Sequence, residues 1–197
     1  MSKPFLTYKQ QINKLMMDKK LTIRNIQDAE CKLHDIGYFT LIGGYKTPFR
    51  DPMTRIYYNS VTFDDIYILY EFDNQIRELL FHYICKVEKK LRSLISYSFC
   101  ENYGESQIEY LSVNNYNNTS KNQKGINKLI QILTKLANIN SDYDYINYQR
   151  KVYQNVPLWV LVNAMTFGQL SKMYSFLPSK IRSKVSLNYR NVNEREL

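Results

Sequence analysis

Residues 62–104 constrain the chain more than any other stretch. They read TFDDIYILYEFDNQIRELLFHYICKVEKKLRSLISYSFCENYG, with no proline and no glycine before Gly104. Ile76, Leu80, Tyr83, Val87, Leu91 and Leu94 recur at three- and four-residue steps, the spacing that places side chains on one helical face. Thr62 offers a cap, and Asp64 and Asp65 suit the positive end of the helix dipole. The pattern predicts one long helix, or two nearly collinear ones, with the apolar seam inward and Leu80→Asp among the worst single changes. Lys86, Lys89, Lys90 and Arg92 crowd the opposite flank. An apolar seam beside a basic flank predicts an all-α protein that meets a polyanion.

The charge balance points the same way. The chain has 197 residues, enough for a real core, and a formal charge of +9. Excess positive charge bears on partners rather than on fold, and nucleic acid is the first class it selects. A membrane surface is the second, but no apolar run is long enough to span a bilayer. The start, MSKPFLTYKQQ, has no apolar signal core. Cys31, Cys85 and Cys100 form no CxxC or Cys/His pattern. Reduced thiols in the cytoplasm are therefore expected, with no metal and no cofactor. The 18 tyrosines, with abundant Asn, Ile and Lys, fit a bias toward AT-rich codons as well as base stacking.

Along the chain, residues 7–20 predict a first helix with Ile12, Leu15 and Met16 inward. Thr22 is expected to cap a second, with Ile23, Ile26, Ala29, Leu33 and Ile36 inward and Gly37 as its break. A short apolar piece (38–45) and a turn-rich loop lead to the long helix. Residues 105–120 contain VNNYNNTS and predict a polar, mobile connection. Residues 121–139 show helical spacing again at Ile126, Leu129, Ile130, Leu133 and Leu136. Residues 140–145 predict a turn. Helices are then expected after Asn155-Val156-Pro157, from Gly168 to Phe176, and after Pro178. Asn193 predicts the start of a further helix, too short to stand alone, and so a chain that stops short of its natural end.

Several segments carry a family resemblance. Residues 35–49 read DIGYFTLIGGYKTPF, and residues 72–77 and 87–92 read FDNQIR and VEKKLR. Residues 156–159 and 165–176 read VPLW and MTFGQLSKMYSF. In this order they resemble the signature elements of the bacterial abortive-infection (Abi-like) proteins. The resemblance implies an all-α helical bundle of HEPN type, with residues 1–60 as a small N-terminal helical region and 61–197 as the bundle. It also implies phage defence and RNA binding or metal-independent RNA cleavage, with a homodimer and an antitoxin RNA or protein as expected partners. Family members usually continue into an Arg-Asn-x3-His element. Here Arg190-Asn191 is followed by no histidine, so the residues as given are expected not to cleave RNA.

Arg77 and His82 satisfy an Arg-x4-His spacing, and imidazole with guanidinium suits acid–base work at a phosphate. An i,i+5 step on a helix turns the two side chains about 140° apart, and coincidence is the favoured reading. His34 is expected to pack at a helix end. Arg77, Glu88 and Arg92 are expected to brace a neighbouring helix through salt links. Lys86, Lys89, Lys90 and Arg92 are the candidate RNA contacts, with a solvated helix face as the plain alternative. Trp159, Tyr38 and Tyr45 are expected to be packing residues. Gly43-Gly44 has no GK[ST] after it and predicts no nucleotide loop. Two function classes remain: a HEPN-type ribonuclease in its full-length form, or a non-catalytic module that binds a regulatory RNA or a partner protein.

Overall fold

The computed structural model describes residues 4–139 and 142–189, and every regular element among them is helical. In chain order these are α1 (Tyr8–Asn13), a π-helical turn (Lys14–Asp18), α2 (Ile26–Ile36), a second π-helical turn (Phe39–Gly43), a 3-10 turn (Thr47–Phe49) and α3 (Phe63–Tyr103). Then follow α4 (Gln107–Leu111), a 3-10 turn (Val113–Asn115), α5 (Gln123–Asn138), α6 (Asp144–Tyr153), α7 (Leu158–Leu161), a 3-10 turn (Val162–Ala164), α8 (Phe167–Phe176) and α9 (Ser179–Ser186). The fold class is all-α. Pairing outside helices is limited, among the described residues, to isolated bridges of Thr22 with Thr62 and Arg50 with Tyr57. The chain divides into two compact units, Met1–His82 and Tyr83–Leu197, with the division inside α3.

In the first unit, Thr7 opens α1. Its hydroxyl accepts from the Gln10 amide at 3.4 Å while the Gln10 side chain accepts from the Thr7 amide at 2.9 Å, a reciprocal capping box. Asn25, not Thr22, caps α2, its Oδ1 accepting from the Asp28 amide at 3.1 Å. Thr22 is occupied elsewhere, its carbonyl accepting from the Phe63 amide at 2.9 Å. The later start leaves Ile26 half exposed, outside the core it was expected to join. Gly37 ends α2 with φ +86, a backbone state open to glycine at little cost. Thr62 and Asp65 cap α3 reciprocally: Asp65 accepts from the Thr62 amide and hydroxyl at 2.8 Å, and Thr62 accepts from the Asp65 amide at 3.3 Å. Those bonds hold the Asp65 carboxyl below its ordinary value. Ile12, Leu15, Leu33, Leu41, Phe63 and Ile66 form the core.

The second unit has its own core, led by Leu91, Ile95, Phe99, Ile126, Leu133 and Leu170. Residues 105–120 are not a loose polar link. Tyr110 and Tyr116 are buried there. Tyr110 Oη donates to the Val156 carbonyl and Tyr116 Oη to the Tyr110 carbonyl, both at 2.7 Å. The asparagines around them obscured two tyrosines that satisfy their hydroxyls internally. Helix α6 also lay hidden in the sequence, because Ile146 is the only residue its span buries and no apolar period marks it. Gly125 lets α5 and α8 approach: a Cβ there would lie 2.5 Å from Cζ of Phe176. Thr166 and Gln169 form a second capping box at α8. Lys184 of α9 pairs with Glu101 of α3.

The α3 seam departs from expectation. Leu91 is buried, but Ile76, Leu80, Tyr83 and Val87 are exposed, Leu80 to 55%. Leu80→Asp is therefore not a core-breaking change. Periodicity marks which face is apolar and is silent about what covers it. The helix start expected at Asn193 and the Arg190-Asn191 pair lie outside the described residues.

Candidate nucleic-acid interface

Helix α3 carries two acid-to-arginine pairs, each four residues apart. In the first unit, Arg77 Nη2 pairs with Asp73 and donates to Tyr45 Oη at 3.1 Å, while Tyr45 Oη donates to Asp73. The GGYKTPF and FDNQIR segments thus meet through side chains. The Tyr45 hydroxyl, followed by Arg77, holds the Asp73 carboxyl below its ordinary value. In the second unit, Arg92 pairs with Glu88 and donates to the carbonyls of Val162 and of Met165, the latter at 2.7 Å. The guanidinium adds a second donor to the Val162 carbonyl, which also accepts from the Met165 amide, and supplies one to the Met165 carbonyl. The VEKKLR segment therefore braces the turn that follows the PLW segment, as the salt-link reading of Glu88 and Arg92 expects.

The four candidate RNA contacts occupy different surroundings. Lys86 lies over the Tyr83 ring at 5.5 Å. Lys90 donates to the Asn188 carbonyl at 2.7 Å and lies over the Tyr189 ring at 4.4 Å. Arg92 is largely committed to α7. Lys89 is exposed, makes no ion pair among the described residues, and lines an open cavity of about 270 Å³ with Arg92, Ser93, Trp159 and Asn163. A second cavity of about 530 Å³ shares Trp159 and Asn163 with the first and is lined also by Asp144, Tyr145, Tyr148 and Gln149.

Trp159 departs from the packing role expected of it. It is 49% exposed, although its neighbours Leu158 and Leu161 are buried. Its position in a four-residue helix explains this, since one turn can turn only part of its circumference inward. The one available signal was its i,i+4 relation to Asn163, whose Nδ2 donates to the Trp159 carbonyl at 2.9 Å.

The weak catalytic pair is not brought together by local structure. Arg77 and His82 lie within one unbroken α3, so the i,i+5 step points them about 140° apart. His34 is exposed, with Nδ1 3.0 Å from Asp35 Oδ1 and its ring edge-on to Tyr8. The thiols are free. Burial pushes that of Cys100 up to about 11, away from reactivity. Among the described residues no group of three His, Cys, Asp or Glu could hold a metal, and no helix is long and apolar enough to cross a membrane.

No curated protein and no solved structure matches the chain. The sequence model of the Abi-like protein family matches residues 31–197, which takes in the segments joined by Tyr45, Asp73 and Arg77 and those joined by Glu88 and Arg92. This chain belongs to the Abi-like protein family.

Proposed function

We propose that the chain serves phage defence by abortive infection and does so by binding RNA. Family membership supports the first half. The observation that carries the second is Lys89 at the mouth of a cavity shared with Arg92 and Trp159, with Lys86 and Lys90 on the same stretch of helix. Such a surface offers cations to phosphates and an aromatic face to bases. A HEPN-type bundle accords with an all-helical fold. Metal-independent cleavage is reserved for a form that carries the Arg-Asn-x3-His element.

Binding of single-stranded RNA should weaken steeply between low and moderate salt, because each neutralised phosphate releases counterions. Replacing Lys86, Lys89 and Lys90 together by Glu should weaken it further. Lys90 also holds the Asn188 carbonyl, so a Lys86/Lys89 double replacement with an unchanged circular-dichroism spectrum separates binding from folding. Binding indifferent to both salt and substitution would overturn the reading.

A second reading rests on a different observation. Ile68, Phe72, Ile76, Leu79 and Leu80 form an exposed apolar stripe along the first-unit part of α3. A second copy laid on this stripe would cover it. A concentration-dependent dimer in sedimentation, lost in Phe72→Asp/Leu79→Asp, is the expected result. A native monomer at all concentrations would rule it out.

A further inference from the structure

Trp159 is held too firmly to be a casual surface residue. Leu158 and Leu161 anchor its helix in the core. Asn163 Nδ2 donates to the carbonyls of Trp159 and Val160, at 2.9 and 3.3 Å, and Arg92 holds the next turn through the Val162 carbonyl. Large apolar rings left half in water forfeit stabilisation that burial would supply. This residue nevertheless lines two open cavities of opposite character. The one with Lys89 and Arg92 is basic. The other has half-exposed Tyr145 and Tyr148, and Asp144 as its charged group.

That asymmetry orients a ligand. A phosphate is attracted on the Lys89 side and repelled by Asp144 on the other, where aromatic faces suit an uncharged ring. Because both Nδ2 bonds of Asn163 go to carbonyls, its Oδ1 is the remaining polar atom, and it has no donor among the described residues. It can accept from an amino or imino group on a base edge.

We propose that Trp159 is a stacking platform for one unpaired nucleobase of single-stranded RNA. Lys89 holds the phosphate beside that base, Asn163 Oδ1 accepts from the base edge, and Tyr145 and Tyr148 receive the next base. The proposal rests on the RNA reading above and gives it a site and a strandedness. Bases inside a duplex cannot reach the ring, so single strands are selected over duplex.

Trp159 is the only tryptophan, so its fluorescence reports on this site alone. Short single-stranded RNA of random sequence should quench it, and duplex RNA of the same length should not. Anisotropy of labelled RNA measures total binding in parallel. Trp159→Ala should weaken single-strand affinity about tenfold or more, Trp159→Phe much less, with circular dichroism unchanged. RNA that binds by anisotropy while the fluorescence and the Trp159→Ala affinity stay unaltered would overturn the stacking site and leave the RNA reading standing. Absence of RNA binding by anisotropy would overturn both. Equal quenching by duplex and single strand would overturn the strand selectivity and with it the stacking role. Fluorescence that changes only with protein concentration would assign the ring to a protein contact instead.

Discussion

The ends and the middle of α3 share one apolar period and meet different fates. Phe63 and Ile66 are buried near its start, and Leu91, Ile95 and Phe99 near its end. Between them Ile76, Leu79, Leu80 and Tyr83 stand in solvent. The two acid-to-arginine pairs repeat the contrast. Arg92 is 15% exposed and closes backbone carbonyls, whereas Arg77 is 63% exposed and meets only Asp73 and Tyr45. Identical local spacing therefore specifies a geometry, while its energetic weight depends on what the neighbouring elements bring to it.

The contrast predicts unequal losses. Phe99→Ala should cost about 3–5 kcal/mol, as for a large ring removed from a packed core. Leu80→Ala should cost less than about 1 kcal/mol. Urea unfolding compares them directly, and equal losses would erase the distinction. A Leu80 effect that grows with protein concentration would instead reveal a second copy on the stripe.

The arginine pair comes next in size. Arg92→Ala should cost about 3 kcal/mol, because it strands Glu88 and the Met165 carbonyl in a poorly solvated place. Arg77→Ala should cost far less, as for an exposed pair screened by water. A large Arg77 loss would mean that the Tyr45 link carries more of the first unit than its exposure implies.

A packing test isolates the second unit. Gly125→Ala should cost about 1–3 kcal/mol by pressing on Phe176. Adding Phe176→Leu should recover part of that loss in a double-mutant cycle. Additive losses would show that the two helices yield independently of this contact.

Acid should produce the smallest effect, centred on the first unit. The Asp65 and Asp73 carboxyls are both depressed below the ordinary 3.8. As pH falls below that value the unfolded chain takes up these protons first, so stability falls with pH there and is fully present above it. Asp73→Asn should flatten the acid limb of a pH-dependent melting profile. An unchanged limb would remove Asp73 from the account.

The sequence by itself determined the all-α class, the length of α3, its Thr62/Asp65 start and the family, because capping chemistry and helical period are local properties written in neighbouring residues. It also placed Arg92 and Glu88 in one brace, since an i,i+4 pair needs only a helix. Tertiary structure decided the rest. Tyr110 and Tyr116 are core because distant carbonyls and apolar surface close around them, although their polar neighbours signalled a loop. Ile146 is the one residue that α6 buries, too little for a period to register, and Arg150 ties the helix to the distant Ala137 and Ile139 carbonyls. Leu80 and Trp159 reverse the prediction made from their type: each is a large apolar side chain, and each stands exposed because burial requires a second surface. Whether such a surface meets a given face is settled by elements remote in sequence.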